Sequence, residues 1–208
     1  MAPKSGVKKV CGVGINDSKE PTIIIHNKRV VWKCPYYVKW VSMLHRCYKN
    51  TYKNPTYFGC TVCEKWIYFS NFKAWMETQD WEDKDLDKDL LVYKNKVYSP
   101  ETCCFVNKEI NNFITLHSNK RGDFPLGVYY NNNKNKIVGQ CANGDGVSEY
   151  LGYYETPEQA HKAWQKAKIE RGKTLKLKQT NTLIIKGLTR VINKLKYDLE
   201  NNLETTDL

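Results

Sequence analysis

The side chains best suited to metal chemistry lie in residues 86–112, LDKDLLVYKNKVYSPETCCFVNKEINN. Asp87 and Asp89 offer carboxylate oxygens, and Asn111 and Asn112 offer amide oxygens. Such oxygens are the ligands that hard cations like Mg²⁺ prefer. A bound Mg²⁺ can activate a water and stabilise developing negative charge, which is the chemistry of metal-assisted hydrolysis. The residue types therefore predict a magnesium site at Asp87, Asp89 and Asn111.

Lys88 lies between the two aspartates, and metal-assisted hydrolysis at such a site would also need a general base. Nearby opposite charges favour the charged form of a lysine, so we expect Lys88 to stay protonated and unable to accept a proton from water. His45 or His117 could replace it only if the fold brings either ring within about 3 Å of the water. The predicted catalytic site is therefore weak or degenerate.

The eight cysteines offer a second possible metal site. Cys60 and Cys63 have the two-residue gap of a zinc knuckle, but no second pair with this spacing follows. Residues 1–10 lack an apolar signal core, and no apolar run approaches the roughly 20 residues of a membrane span. We therefore expect a cytoplasmic protein without disulfides, in which the cysteines are buried thiols or, for Cys60 and Cys63, zinc ligands.

The charge is strongly basic and unevenly distributed. The formal net charge is +11, from 33 lysines and arginines against 22 acids. Residues 157–197 hold eleven basic residues against two acids, whereas residues 76–91 hold seven acids against two lysines. A basic C-terminal half favours a polyanion as partner, because each neutralised phosphate releases condensed counterions. The acidic segment is either a solvated loop or a cation site.

The elements that must position residues 86–112 form a mixed α+β pattern. Residues 1–22 are predicted to be a flexible arm, and residues 23–118 a domain. Within it, TIIIHNKRVVW predicts a β-hairpin, Pro35 begins a helix, and a further helix begins with Ser70 or Asn71 as its N-cap. The segment with the acidic residues then predicts a hairpin with Asn95 near its turn, followed by a helix capped by Asn107.

The C-terminal half changes to short strands after a predicted linker at residues 119–125. Three strands and one helix are predicted over residues 126–172, with Thr156 and Pro157 beginning the helix and Gly172 ending it. Residues 173–208 predict a basic amphipathic helix and an acidic tail. The apolar stripe of residues 183–199 could pack within the chain or form a homodimer.

The pattern GVYYN…KNKIVGQ…EYLGYYETPEQAHKAWQKAK resembles the apetala or ethylene-response-factor type of DNA-binding domain. The resemblance implies that one face of a three-stranded sheet enters the major groove, which admits a β-ribbon. The positions it implies as DNA-binding are Tyr129, Asn131, Lys134, Lys136, Gln140 and Tyr150. The alternative is that these polar residues are only the solvated face of a half-buried sheet.

Together with CPYYVKWVSMLHRCY, CTVCEKWIYFSNFKAWM and residues 86–112, this module makes the chain resemble phage-borne proteins of the HNH homing-endonuclease type. The resemblance implies a ββα-metal core and a gene of a phage or mobile element, acting on double-stranded DNA in a bacterial host. Because Lys88 replaces the histidine of such a core, three functions remain open. These are a sequence-specific DNA-binding protein with a degenerate core, an active Mg²⁺-dependent endonuclease, and a transcriptional repressor that occupies a promoter.

Overall fold

The structure is a computed structural model that describes residues 9–49, 55–116, 123–143 and 147–208. It is a mixed α+β fold, as predicted, and divides into two compact units, Met1–Phe105 and Val106–Leu208. Of the helices in these described ranges, none is long and apolar enough to cross a membrane.

In its described residues, the first unit combines three α-helices and a short 3₁₀ helix (Pro55–Tyr57) with three small two-stranded sheets. Its strands are β1 (Ile23–His26), β2 (Arg29–Lys33), β3 (Thr61–Val62), β4 (Asp85–Asp87), β5 (Val97–Tyr98) and β6 (Cys104–Val106), the last extending one residue into the second unit. Its helices are α1 (Pro35–Tyr48), α2 (Glu64–Ile67) and α3 (Phe69–Glu77). Strand β1 pairs with β2 as an antiparallel hairpin, β3 with β5 in parallel, and β4 with β6. The hairpin and the start of α1 at Pro35 confirm the sequence predictions.

An aromatic core holds the three helices of the first unit together. Trp40 and Trp66 are fully buried, and the indole Nε1 of Trp40 donates to the Trp66 carbonyl oxygen at 2.7 Å. The Trp66 ring lies 5.1 Å from Phe72 and 4.5 Å from Trp75 between ring centroids. Large rings in such tilted contacts contribute both buried area and specific geometry, so this cluster fixes α1 against α3.

The predicted flexible arm is wrong for residues 10–17, which pack on the core of the first unit. The Ile15 backbone N–H donates to the Ile67 carbonyl at 2.8 Å, and its carbonyl accepts from the Phe69 N–H at 3.0 Å. Asp17 accepts hydrogen bonds from the N–H and hydroxyl of Ser70 at 2.8 and 2.5 Å. The predicted N-cap of α3, Ser70 or Asn71, is also wrong. Asp17, from a distant segment of the chain, satisfies a free N–H in the first turn of α3.

The predicted hairpin over residues 86–106 is not the one that forms. Strand β4 pairs with β6, while β5 pairs with β3, and the residues between β4 and β5 are a loop. The order β4–β6–helix is still strand–strand–helix, but the helix, α4 (Lys108–Ile114), belongs to the second unit. Its cap is as predicted, since the Asn107 side chain accepts from the Ile110 N–H at 2.9 Å.

The second unit is a three-stranded antiparallel sheet packed on one long helix. The strands are β7 (Val128–Asn131), β8 (Lys136–Ala142) and β9 (Ser148–Tyr154), in the order β7–β8–β9, and the helices after them are α5 (Pro157–Leu177) and α6 (Thr182–Glu200). Helix α5 begins with the predicted cap, because Thr156 accepts from the Gln159 N–H and the Gln159 side chain accepts from the Thr156 N–H. Most of the predicted linker lies outside the described residues.

Helix α6 packs against α5 in the same chain, and the tail after it also folds back. The apolar stripe of α6 is buried there: Ile184, Leu188, Val191, Ile192 and Leu195. The buried His161 of α5 bonds through Nδ1 to the Leu126 carbonyl at 2.8 Å and accepts at Nε2 from the Thr205 N–H at 3.0 Å. The amphipathic pattern of α6 is therefore explained within one chain and does not itself indicate a homodimer.

Gly172 lies inside α5 and does not end it, which corrects the sequence prediction. A Cβ added at Gly172 would lie 2.8 Å from Ile192 Cγ1 and 2.9 Å from Phe113 Cζ. The missing side chain lets α4 and α6 approach α5 closely. Gly172 therefore allows close packing between helices, whereas a glycine at a helix C-terminus allows the turn that ends the helix.

We expect Gly172→Val to lower the free energy of unfolding by about 1–2 kcal/mol, because overpacking forces its neighbours to move. Thr174→Val is the matched control, since Thr174 is exposed on the same helix. Urea unfolding followed by circular dichroism measures both. Equal stability of the two variants would contradict the close packing at Gly172.

Candidate nucleic-acid interface

The pairing register places five predicted DNA-binding residues on one face of the sheet. Asn131 pairs with Lys136, and Gln140 pairs with Tyr150. Tyr129 pairs with Val138, which lies between Lys136 and Gln140 on β8. Paired residues on adjacent strands, and every second residue along one strand, point to the same side of a sheet. The five side chains therefore share a face.

This shared face, which we call the open face, is the one turned away from α5. On the other face, a Cβ added at Gly127 would lie 2.1 Å from the Trp164 ring, and one at Gly139 would lie 3.3 Å from the Ala160 carbonyl oxygen. Gly139 and Val138 are neighbours on β8 and point to opposite faces of the sheet, so Val138 belongs to the open face. Its side chain is fully buried between Tyr129 on β7 and Tyr153 on β9, with which it pairs. The open face thus presents tyrosine, lysine and amide groups to solvent.

Tyr153 belongs to the open face and was missed by sequence reasoning. It pairs with Val138, and its ring lies 5.4 Å from that of Tyr150 in an edge-on contact. Strict alternation along β9 would place residues 150 and 153 on opposite faces. The register shifts between Gly139 and Gln140, so Leu151 is an extra residue that returns Tyr150 to the open face.

Lys134 lies over this pair of tyrosines. Its ammonium is 5.5 Å from the Tyr153 ring centroid. The pKa of Tyr153 is lowered, chiefly because its hydroxyl oxygen accepts a hydrogen bond from Lys134, and the pKa of Lys134 is raised by the same bond. The ammonium keeps its charge on the exposed sheet surface, where it can meet a phosphate. All six predicted DNA-binding residues therefore lie on or beside the open face.

The basic residues of α5 and α6 lie behind the sheet and are partly engaged within the second unit. Contacts within that unit join Lys162 to Asn202, Lys168 to Phe113, Arg171 to the Ala142 carbonyl, Lys173 to Glu170, Lys178 to Glu109, and Lys194 to Asp198. Burial lowers the pKa of Lys168 to about 8. The charge excess of residues 157–197 is therefore only partly available to a polyanion.

Lys88 is a buried structural residue of the first unit. Its side chain is 3% exposed, and its ammonium donates to Asp89 Oδ1 at 2.5 Å and to the Asn95 carbonyl oxygen at 2.7 Å. Asn95 returns a bond from Nδ2 to the Lys88 carbonyl at 2.9 Å. These reciprocal bonds hold residues 88–96 as a loop, which explains why they do not continue β4 as a strand.

The two aspartates of this loop differ in environment. Asp87 Oδ1 accepts from the Asp89 N–H at 3.0 Å and from the Leu90 N–H at 2.7 Å. Burial raises the pKa of Asp87, against the effect of these hydrogen bonds. Asp89 is half-exposed and accepts from Lys88. Within the loop, the Asp87 carboxylate thus accepts from backbone N–H groups, and the Asp89 carboxylate accepts from the buried ammonium of Lys88.

Two cations of α1 that the sequence did not single out also hold the acidic segment. Arg46 Nη1 donates to the Leu86 carbonyl at 3.0 Å. Lys39 donates to the Lys84 carbonyl at 2.5 Å and lies 3.9 Å from Asp85. Two backbone carbonyls and one carboxylate of the acidic segment are therefore held by cations of α1 within the first unit.

The predicted metal ligands lie on several different elements of the chain. Asn111 lies on α4 in the second unit, so the first unit holds only Asp87 and Asp89 of the magnesium set. Cys60 and Cys63 lie at the two ends of β3, Cys60 buried and Cys63 half-buried at the start of α2. Across the residues that the structure describes, no group of three histidine, cysteine or acidic side chains could hold a metal ion.

The cysteines are free thiols, and burial explains most of them. It raises the pKa of Cys47, Cys103 and Cys104 to about 12 and also raises the pKa of Cys60. A neutral buried thiol is neither a metal ligand nor a nucleophile until it loses its proton. His117, the other candidate for a general base, lies outside the described residues, and His45 lies on α1.

Comparison of the chain with protein-family models, with curated proteins and with solved structures finds no match.

Proposed function

We propose that this protein is a sequence-specific double-stranded DNA-binding protein that acts by occupying its site. The observation that carries the proposal is the open face of sheet β7–β8–β9. It combines base-reading amides, Asn131 and Gln140, with lysines beside them, on a surface that the α5 helix leaves uncovered. The major groove admits a β-ribbon, and amides and lysines on such strands can bond base edges and phosphates there.

The loop around Lys88 supports binding over cleavage. A general base must reach the attacking water, whereas the Lys88 ammonium is buried and donates to Asp89 and to the Asn95 carbonyl. The proposal is a protein derived from a phage or mobile-element HNH homing endonuclease, located with the DNA of a bacterial host or phage and acting like a repressor. The alternative proposal is an active Mg²⁺-dependent HNH endonuclease.

Selection of bound fragments from random DNA tests the binding proposal. An enriched motif that depends on residues 126–170 supports it, and the absence of any enriched motif contradicts it. Incubation of the same protein with supercoiled plasmid and Mg²⁺ or Mn²⁺ tests the alternative. Robust nicking that Asp87→Ala abolishes would establish the endonuclease.

We expect Tyr129→Ala to weaken binding to the selected site by about 1–2 kcal/mol, the usual contribution of one good base contact. Gln140→Ala is expected to have a similar effect. Tyr130→Ala is the matched control, because Tyr130 is 39% exposed and Tyr129 38%, yet the two side chains point to opposite faces. Fluorescence anisotropy on specific and random duplexes measures both. Equal losses for Tyr129→Ala and Tyr130→Ala would contradict the assignment of the open face.

A further inference from the structure

The open face presents amide, tyrosine and lysine side chains but no arginine and no acid among its described strand residues. Its members are Tyr129 and Asn131 on β7, Lys136, Val138, Gln140 and Ala142 on β8, and Ser148, Tyr150 and Tyr153 on β9. Arginine is the commonest reader of guanine, and aspartate or glutamate accepts from cytosine. The side chains that best read a G·C pair are therefore missing from this surface.

The two lysines of the open face lie at one end of the sheet. Lys134 is in the turn between β7 and β8, and Lys136 is the first residue of β8. The Lys134 ammonium donates to the Tyr153 hydroxyl, which holds it at that end. A lysine ammonium binds a phosphate as a point charge, and contacts to phosphates position a protein on the duplex. Both lysines are therefore placed to meet the DNA backbone, which leaves base reading to the other side chains.

The two amides of the open face suit adenine. Asparagine and glutamine form two bonds with adenine, accepting from its N6 amine and donating to N7. Asn131 Oδ1 accepts from the Lys134 N–H at 3.2 Å, which orients the amide and uses one of the two lone pairs of its oxygen. The other lone pair and the Nδ2 amine keep the two-bond pattern. Gln140 carries the same groups on β8, beside Tyr150.

The separation of the two amides matches a short run of base pairs. Asn131 pairs with Lys136, which lies four residues before Gln140 on β8. Each strand residue rises about 3.3 Å, so the amides stand roughly 13 Å apart along the strand. Successive base pairs are about 3.4 Å apart, so a strand that follows the groove places the amides about four base pairs apart.

Exposed tyrosine rings lie between and beside the amides. Tyr129 and Tyr153 flank Val138, midway between Lys136 and Gln140, and these tyrosines are 38% and 43% exposed. The C5-methyl group of thymine is the apolar feature of the major groove, and apolar or aromatic side chains contact it. Rings placed between two adenine-reading amides therefore favour thymines in the intervening base pairs.

We propose that the open face recognises a site rich in A·T pairs. Two adenines about four base pairs apart bond Asn131 and Gln140, and thymine methyl groups between them contact the tyrosine rings. This assignment rests on the proposed function, because it names the class of duplex that the same face binds. Recognition takes place in the major groove, which displays both the N7 of adenine and the methyl group of thymine.

Modified bases test the assignment with the unaltered protein. A duplex enriched from random DNA is remade with deoxyuridine in place of thymidine, which removes only the methyl groups. We expect affinity to fall roughly fourfold for each methyl group that a ring covers, hence roughly 16- to 64-fold for two or three. Replacing adenine with 7-deazaadenine removes the N7 acceptor and should lower affinity about fivefold at each adenine that an amide reads. The same replacements outside the enriched motif are the control and should leave affinity unchanged.

Substitutions assign the contacts to residues. Tyr129→Ala should make binding less sensitive to deoxyuridine, whereas Tyr130→Ala, on the opposite face, should leave that sensitivity unchanged. Gln140→Arg should change the preferred base at one position from adenine to guanine, by about 5- to 150-fold, because arginine reads guanine. Thr174→Arg adds the same charge at an exposed position of α5 and should keep the original preference. A repeated selection from random DNA measures both arginine variants.

The composition of the enriched motif separates a failure here from a failure of the proposed function. A motif rich in G·C pairs overturns the A·T assignment and leaves sequence-specific binding standing. An A·T-rich motif that tolerates both modified bases also overturns it, because the readout would then come from the minor groove or from duplex shape. Tighter binding of a single strand than of the duplex overturns it, since the rings would then stack on bases. The absence of any motif rejects the proposed function and the A·T assignment with it.

Discussion

Raising the salt concentration from about 50 to 200 mM is expected to weaken DNA binding roughly 12-fold, the loss for two neutralised phosphates. The positions of the basic residues set this value. Lys134 and Lys136 lie at the open face, whereas α5 packs on the opposite face of the sheet. If five to eight lysines and arginines of α5 and α6 also reached phosphates, the loss would exceed about 5,000-fold.

Paired variants separate the two sets of cations. Lys134→Ala with Lys136→Ala should reduce the salt dependence by the equivalent of about two phosphate contacts. Lys166→Ala with Lys173→Ala removes the same charge from exposed positions of α5 and should leave the slope nearly unchanged. Affinity measured at four or more salt concentrations gives each slope. A larger effect of the α5 pair would show that the helices, and not the open face, meet the DNA backbone.

Features set by neighbouring residues could be predicted from the sequence. Thr156 and Pro157 begin α5, and Asn107 caps α4, because capping bonds join residues three positions apart. The three-stranded sheet was predictable for the same reason, since the turn between β7 and β8 is built of asparagines next to the strands it joins. The apolar stripe of α6 follows from helical periodicity alone.

Features set by distant residues could not be predicted in this way. The contact of Gly172 with Ile192 and Phe113 depends on how three helices pack, and a glycine near a helix end equally suggests a stop. Docking of residues 10–17 depends on a backbone pairing with residues 67–69, which composition does not show. The bulge at Leu151 changes the face on which Tyr150 lies, so Tyr153 could join the open face only once the register was known.

Lys88 shows how residue type and position in the sequence can leave the role of a side chain open. Its position among aspartates suggests a catalytic residue that replaced a histidine. In the structure the Lys88 side chain is 3% exposed and donates to the Asn95 carbonyl oxygen. The Asn95 side chain donates in return to the Lys88 carbonyl oxygen. A lysine whose ammonium bonds across a loop in this way stabilises the fold. Its side chain is longer than that of histidine, so an imidazole at the same backbone position could not reach the same acceptors.

Lys88→Met is therefore expected to lower the free energy of unfolding of the first unit by about 2–4 kcal/mol. The substitution leaves the buried Asn95 carbonyl and the Asp89 carboxylate without their charged donor, and such losses are large when the group is buried. Lys84→Met is the matched control, because Lys84 forms a surface pair with Asp80, whose carboxylate is 80% exposed, and a surface pair contributes at most about 1 kcal/mol. Urea unfolding monitored by tryptophan fluorescence measures both variants.

Lys88→His separates the structural role from a lost catalytic one. If the lysine had only replaced a general base, histidine at this position should produce cleavage of plasmid in Mg²⁺, because a positioned base typically contributes 10²–10⁴-fold in rate. The bonds of Lys88 to Asp89 and Asn95 predict the opposite: no cleavage, and a loss of stability close to that of Lys88→Met. A stable Lys88→His protein that nicks DNA would contradict the structural role, and unchanged stability of Lys88→Met would contradict it even without cleavage.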